Sequence, residues 1–329
     1  MIVVITGASA GIGRATARAF AGDGWDVALL ARGDAGLEAA ANEVRDTGRR
    51  ALPIEVDVAD AAAVEAAAER VERELGPIDV WVNDAMESVF APADQITADE
   101  YRRVTEVNYL GFVHGTLAAL RRMKPRDRGV IVEVGSALAY RSIPLQAAYC
   151  ASKHAIVGFI DSIRCELSHD HSRVKITAVH MPAVNTPQFG WVRSRLPNKA
   201  QPVPPIFEPE VAAKAILFSA KHPRRELLVG GPTILAVWGQ KFIPGILDWY
   251  LGRTGYSAQQ TGAPRTAHAD NLDAPRDEHR DRGAHGSFDE RAHDWSPALE
   301  LSIHRNLVAG VAAVGLATIA LGTRLLRHD

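Results

Sequence analysis

The first thirteen residues constrain the fold most. Ile2-Val3-Val4-Ile5-Thr6 is a short, β-branched apolar run without alternation, the pattern of a strand buried on both faces. It stops at Gly7 and passes through Ala8-Ser9-Ala10 to Gly11-Ile12-Gly13, after which Arg14 to Phe20 reads as a helix. A strand, a glycine-rich turn and a helix in that order suit a dinucleotide pyrophosphate. Glycines let the backbone come close, and the helix N-terminus offers free N–H groups and the positive end of its dipole. Gly7, Ser9, Gly11, Ile12 and Gly13 are therefore candidate cofactor contacts.

The same unit recurs along the chain. Strands are expected at 26–31, 51–56, 78–82, 129–136, 174–180 and 227–230, separated by helical stretches of about 12 to 15 residues or more. This alternation predicts an α/β chain with a Rossmann-like, doubly wound parallel sheet of about seven strands. Thr97 to Met123 reads as one long helix, opened by a capping box of Thr97 and Glu100. The proline-rich stretch 187–209 reads as an irregular loop, suited to a lid or substrate wall.

The second strand chooses the cofactor. An acid at its tip would bond the ribose 2′-OH of NAD, and a basic residue suits the 2′-phosphate of NADP. Here the strand ends Ala31-Arg32, and Asp34 reads as the start of the next helix. Arg32, with Arg14 as a second donor, favours NADP(H) over NAD(H). Asp57-Val58 ends the third strand, where an acid accepts from an adenine amine or caps a helix. Tyr149 and Lys153 lie four residues apart, one turn along one helix face. A nearby ammonium favours the phenolate and lowers the tyrosine pKa from about 10.

Five motifs in order carry a resemblance: Thr6-Gly7…Gly11-x-Gly13, Asn83-x-Ala85, Asn108, Ser136 and Tyr149-x-x-x-Lys153. Over residues 1–235 the chain resembles the short-chain dehydrogenase/reductase family. The resemblance implies a carbonyl/alcohol oxidoreductase acting on a small molecule, with Tyr149 as general acid/base and Ser136 polarising the carbonyl. It implies that Lys153 binds the nicotinamide ribose and that Asn108 holds a relay water. Asp57 and Val58 would meet the adenine, Asn83 and Ala85 the adenosine side, and Pro182, Val184 and Thr186 the nicotinamide. A homodimer or tetramer is implied as well. Two positions depart from the family pattern: Met86 and Ala183 stand where glycine is usual. They motivate an alternative, a nucleotide-binding scaffold or sensor without turnover, and an epimerase or dehydratase on the same fold is a third reading.

A net charge of -2 gives no electrostatic case for nucleic acid. Cys150 and Cys165 are expected as separate, buried, reduced thiols. Met1 leads directly into a strand, so a cytoplasmic catalytic domain is expected. Beyond it, 236–256 is apolar and aromatic, and 257–297 is polar and charged, read as a disordered linker. Its four histidines lack metal-ligand spacing, and no metal is expected. The uncharged run 306–323, within the last segment 298–329, is read as an apolar helix. At about 27 Å it would nearly match a bilayer core, so it is a candidate membrane anchor.

Overall fold

The computed structural model describes residues 1–266 and 268–305. Seven strands form one parallel sheet: β1 (Ile2–Thr6), β2 (Asp26–Ala31), β3 (Ala51–Glu55), β4 (Val80–Asn83), β5 (Val130–Ser136), β6 (Lys175–Met181) and β7 (Glu226–Leu228). Their order is β7-β6-β5-β4-β1-β2-β3. Successive side chains of β1 face opposite layers, as the pleat requires. Val3 and Ile5 pack with helices α1 (Gly11–Gly22), α2 (Asp34–Asp46) and α7 (Pro209–Lys221). Ile2 and Val4 pack with α3 (Ala61–Glu74), α5 (Gly111–Met123) and α6 (Ala147–His169). The expected doubly wound sheet is therefore present.

The long helix expected over 97–123 differs in one turn. Thr97 and Glu100 do form the capping box, opening α4 (Ala98–Thr105). Residues Glu106–Leu110 then form a π turn before α5 begins. Such a turn widens the helix by one residue and is common at functional sites. Asn108 sits inside it, fully buried.

The stretch 187–209 is more ordered than a loop. It is stitched by short pairings: Arg193–Ser194 to Val89–Phe90, Asn198–Ala200 to Gln260–Pro264, and Ile206–Phe207 between Ala183–Val184 and Ala292–His293. Two helices follow β7, α8 (Gly230–Phe242) and α9 (Pro244–Ala258).

Residues 257–297 correct the disordered-linker expectation. Leu272 is fully buried, in a cluster with Val89, Ala91, Ile96, Val104 and Ala148. Phe288 is also buried, and Arg193 binds Asp270 at 2.9 Å and Asp273 at 2.6 Å. Composition understated this segment because a few apolar anchors and many charge pairs suffice to dock it on a ready surface. Cys165 is exposed, not buried, and Cys150 is buried. The short helix α10 (Pro297–Ile303) ends near the last described residue. The run 306–323 expected as a membrane anchor lies outside the described residues. Among those described, no helix is long and apolar enough to cross a membrane.

Truncating Leu272 to alanine should cost about 2–5 kcal/mol of local docking. Trypsin should then cut at Arg276, Arg280 and Arg282 at least about tenfold faster, with the sheet's own unfolding midpoint nearly unmoved. Equal cleavage rates in variant and parent would return the segment to a loose linker.

Candidate active site

The strand order reverses between β1 and β4, and a cleft of about 410 Å³ opens at the carboxyl ends of the strands. The glycine loop lines one side. Gly7 (φ 72°) and Gly11 (φ 58°) take the left-handed backbone that side chains resist. A Cβ on Gly13 would lie 2.3 Å from the Gly7 carbonyl oxygen, and one on Gly7 would lie 2.9 Å from Ala85 Cα. Thr6 Oγ1 accepts from the amides of Asp84 and Ala85 at 3.0 and 3.2 Å. The loop is thereby pressed onto the end of β4, with Gly7, Ser9, Gly11 and Ile12 on the cleft wall. A backbone cradle at a helix N-terminus fits a dinucleotide phosphate.

The opposite wall carries Ser136 from the end of β5, with Tyr149 and Lys153 from the first turns of α6. Ser136 Oγ accepts from the Leu138 amide at 3.1 Å. The expected acidified phenol is not what these surroundings produce. Burial holds the Tyr149 phenol above its ordinary value, and the hydrogen bond with Ser136 opposes this only in part. Lys153 is 3% exposed, and its ammonium donates to the Val134 carbonyl at 2.9 Å. It lies 4.5 Å from the centre of the Phe112 ring and 5.7 Å from that of Tyr149. Desolvation lowers the Lys153 pKa, against the pull of Asp84 and Glu133.

Two predicted site residues lie behind the cleft wall. Asn108 Oδ1 accepts from the Glu87 amide at 2.7 Å, and its Nδ2 donates to the Glu87 carbonyl at 2.9 Å and to Ser152 Oγ at 3.1 Å. It clamps the 86–88 turn to α6. Asn83 is fully buried and donates to Thr116 Oγ1 at 3.1 Å and to the Glu133 carboxylate at 3.1 Å. Its side chain ties the end of β4 to α5 and β5. Gly13 also packs below the loop. Val58, Ala85, Pro182, Val184 and Thr186 do line the cleft, as do Arg32 and Asp57.

The charged candidates are already engaged. Arg32 donates to Glu87 and to the carbonyls of Asn271 at 2.6 Å and Leu272 at 3.3 Å. Arg14 is buried and binds Glu43 at 3.0 Å together with Asp281. Asp57 accepts from Arg103 at 2.7 Å. Several of these partners come from the 257–297 segment, which runs along the rim of the cleft. Asp277 packs against Gly33 and Gly36, Gly283 accepts from the Gly11 amide at 3.2 Å, and Gly286 abuts Thr186. Sequence reasoning missed this rim, because no local signal says where a polar segment docks.

Asp84 and Glu87 were also missed as site residues. Both are buried on the cleft wall. Burial raises the Asp84 carboxyl, with Lys153 pulling the other way. Burial pushes Glu87 up to about 8, despite Arg32. The departure from the family pattern at Met86, between them in the chain, was the available signal. His285 meets Glu208 and Glu210, each at 3.1 Å. Desolvation opposes its protonation, but the hydrogen bonds and charges of Glu210, Asp289 and Glu208 together outweigh it and raise the pKa.

The short chain dehydrogenase family model matches residues 1–196. The chain belongs to the short-chain dehydrogenase/reductase family. An uncharacterized oxidoreductase of Bacillus subtilis, YxnA, is 34% identical over 266 residues, covering 80% of this chain and 74% of that protein. Human dehydrogenase/reductase SDR family member 7 is 38% identical over 172 residues, 51% of each chain. An alcohol dehydrogenase from the archaeon Thermococcus sibiricus, complexed with 5-hydroxy-NADP, superposes with a TM-score of 0.61 at 29% identity. The match covers 69% of this chain and 94% of that one. A 3-ketoacyl-ACP reductase from Sinorhizobium meliloti gives 0.62 at 28%, over 71% and 99%. This short-chain dehydrogenase/reductase is thus an oxidoreductase by family, on a fold that binds NAD(P).

Glu133, behind the site, is fully buried and accepts from Thr116 Oγ1 at 2.6 Å. Burial lifts it from 4.5 to about 7. Between those values the unfolded chain has lost its proton and the folded one keeps it, so stability falls as pH rises through this window. The Glu133→Gln variant should escape that fall. Its stability relative to the parent should improve by about 3 kcal/mol from pH 4.5 to 7.5, measured by urea unfolding. A difference that is flat with pH would refute the buried, raised carboxyl.

Proposed function

We propose that the protein reduces a lipophilic ketone or aldehyde to an alcohol with NADPH, and runs the reverse reaction with NADP. One observation carries this reading: Ser136, Tyr149 and Lys153 share one cleft wall, across from a glycine cradle at the mouth of β1. The nicotinamide, when bound, supplies the hydride. Gly7, Ser9, Gly11 and Ile12 hold the phosphates, and Val184 and Thr186 hold the nicotinamide side.

Tyr149 gives its phenolic proton to the substrate oxygen, and Ser136 donates a hydrogen bond to the same oxygen as charge develops there. Burial keeps the phenol protonated at rest, which is the form that reduction uses. Lys153 offsets the phenolate charge that remains. Arg32, at a strand tip without an acid, favours the 2′-phosphate of NADP(H) over NAD(H). Glu87 does not cancel its charge fully, because a carboxyl with a pKa of about 8 is largely neutral near pH 7. The far wall is apolar, with Met86, Leu138, Ile143, Phe189, Trp191 and Pro232, which supports a lipophilic substrate.

Turnover is to be read as NADPH and NADH oxidation across ketones and aldehydes of rising chain length. NADPH and the longer substrates should be preferred. Tyr149→Phe should lower kcat about 10²–10⁴-fold while NADPH still binds by fluorescence titration. Full turnover by that variant would remove Tyr149 from the chemistry, and a preference for NADH would remove the role given to Arg32.

A further inference from the structure

Thirteen large apolar or aromatic side chains stand exposed among the described residues; seven of them lie on α8 and α9, and Ile243 lies between the two helices. Leu235 is 74% exposed, Trp238 50%, Phe242 74%, Ile246 60% and Trp249 60%. They recur every three or four residues, so they form a stripe and not a scatter. Side chains of this size do not face water in such a group without a partner.

The chemistry of the stripe selects that partner. Lys241 lies 4.9 Å from the centre of the Trp238 ring, and the Arg253 guanidinium lies 4.2 Å from that of Trp249. Tryptophan bodies with cationic tips over them suit the headgroup level of a bilayer, where one end is apolar and the other wet. The only acid on the two helices, Asp248, is held by Arg141 at 2.7 Å. The direction of the chain agrees. Helix α10 packs against α8 and carries exposed Leu301. The sequence then runs into eighteen uncharged residues, 306–323, between Arg305 and Arg324.

We infer that α8 and α9 form a bilayer-docking surface, lying in the headgroup layer of a phospholipid membrane. Helix α8 also lines the cleft through Pro232 and Ala236 and packs on the 137–139 turn next to Ser136. The membrane face is therefore one helix thickness from the site. The surface stands whether or not the proposed reaction does, because it is read by lipid contact and not by turnover.

The test uses the full chain with vesicles of equal parts phosphatidylcholine and phosphatidylglycerol, with and without brominated acyl chains. Bromine quenches tryptophan only at contact range. Emission of the parent should be quenched by the brominated vesicles. The Trp238→Phe/Trp249→Phe variant, conservative and at exposed positions, should lose the greater part of that quench. It should still float with the vesicles, since phenylalanine keeps the stripe apolar. Two results would overturn the inference. One is no quench in the parent, or the same quench in the variant. The other is a parent that dimerises without lipid and a Leu235→Ser/Phe242→Ser/Ile246→Ser variant that is monomeric, with no quench in either, which would make the face a self-interface.

Discussion

The site depends on a contact that has no side chain in it. Gly13 meets the Gly7 carbonyl, and Gly7 meets Ala85, at separations where a Cβ would overlap backbone. Backbone cannot yield as a flexible side chain can, so the loop either lies flat on the end of β4 or does not form. Thr6 fixes the same junction by accepting from two successive amides. The direction of α1, the level of the cleft floor and the place of Asp84 all follow from this junction.

Around the cleft the protein buries several ionisable groups. Lys153, Asp84, Glu87 and Glu133 are each under a tenth exposed. Desolvation disfavours every one of their charges, and mutual attraction offsets it only in part. The acids are raised and the lysine is lowered, so their proton affinities converge toward neutrality. Perturbed groups of this kind cluster at functional clefts more often than in structural cores. Burial raises the phenol of Tyr149 as well, which moves it away from neutrality and keeps it protonated.

The C-terminal third turns a generic fold into a particular cleft. Residues 270–288 form its outer rim, and α8 forms part of its far wall. Arg14 and Arg32, already paired with Glu43 and Glu87, gain Asp281 and the Asn271 carbonyl from this rim. Access to the cofactor end is thus tied to how firmly the segment is docked.

Local order was legible where it has a local cause. The apolar runs of β1 and β2, the capping box at Thr97 and the Gly7–Gly13 turn each depend on neighbours within a few residues, so periodicity and residue type suffice to read them. The positions of Ser136, Tyr149 and Lys153 followed from motif order along an alternating chain. What these side chains meet was not legible. Whether Lys153 acidifies Tyr149 depends on Phe112 and the Val134 carbonyl, and whether Arg32 is free depends on Glu87 and residues 271–272. Those partners lie from 19 to 240 positions away along the chain. The sequence by itself determined the alternation, the glycine turn and the candidate trio of Ser136, Tyr149 and Lys153. Only the tertiary structure decided the surroundings of that trio and the docking of 257–297, because desolvation and long-range packing are properties of the assembled surface and leave no periodic trace in the chain.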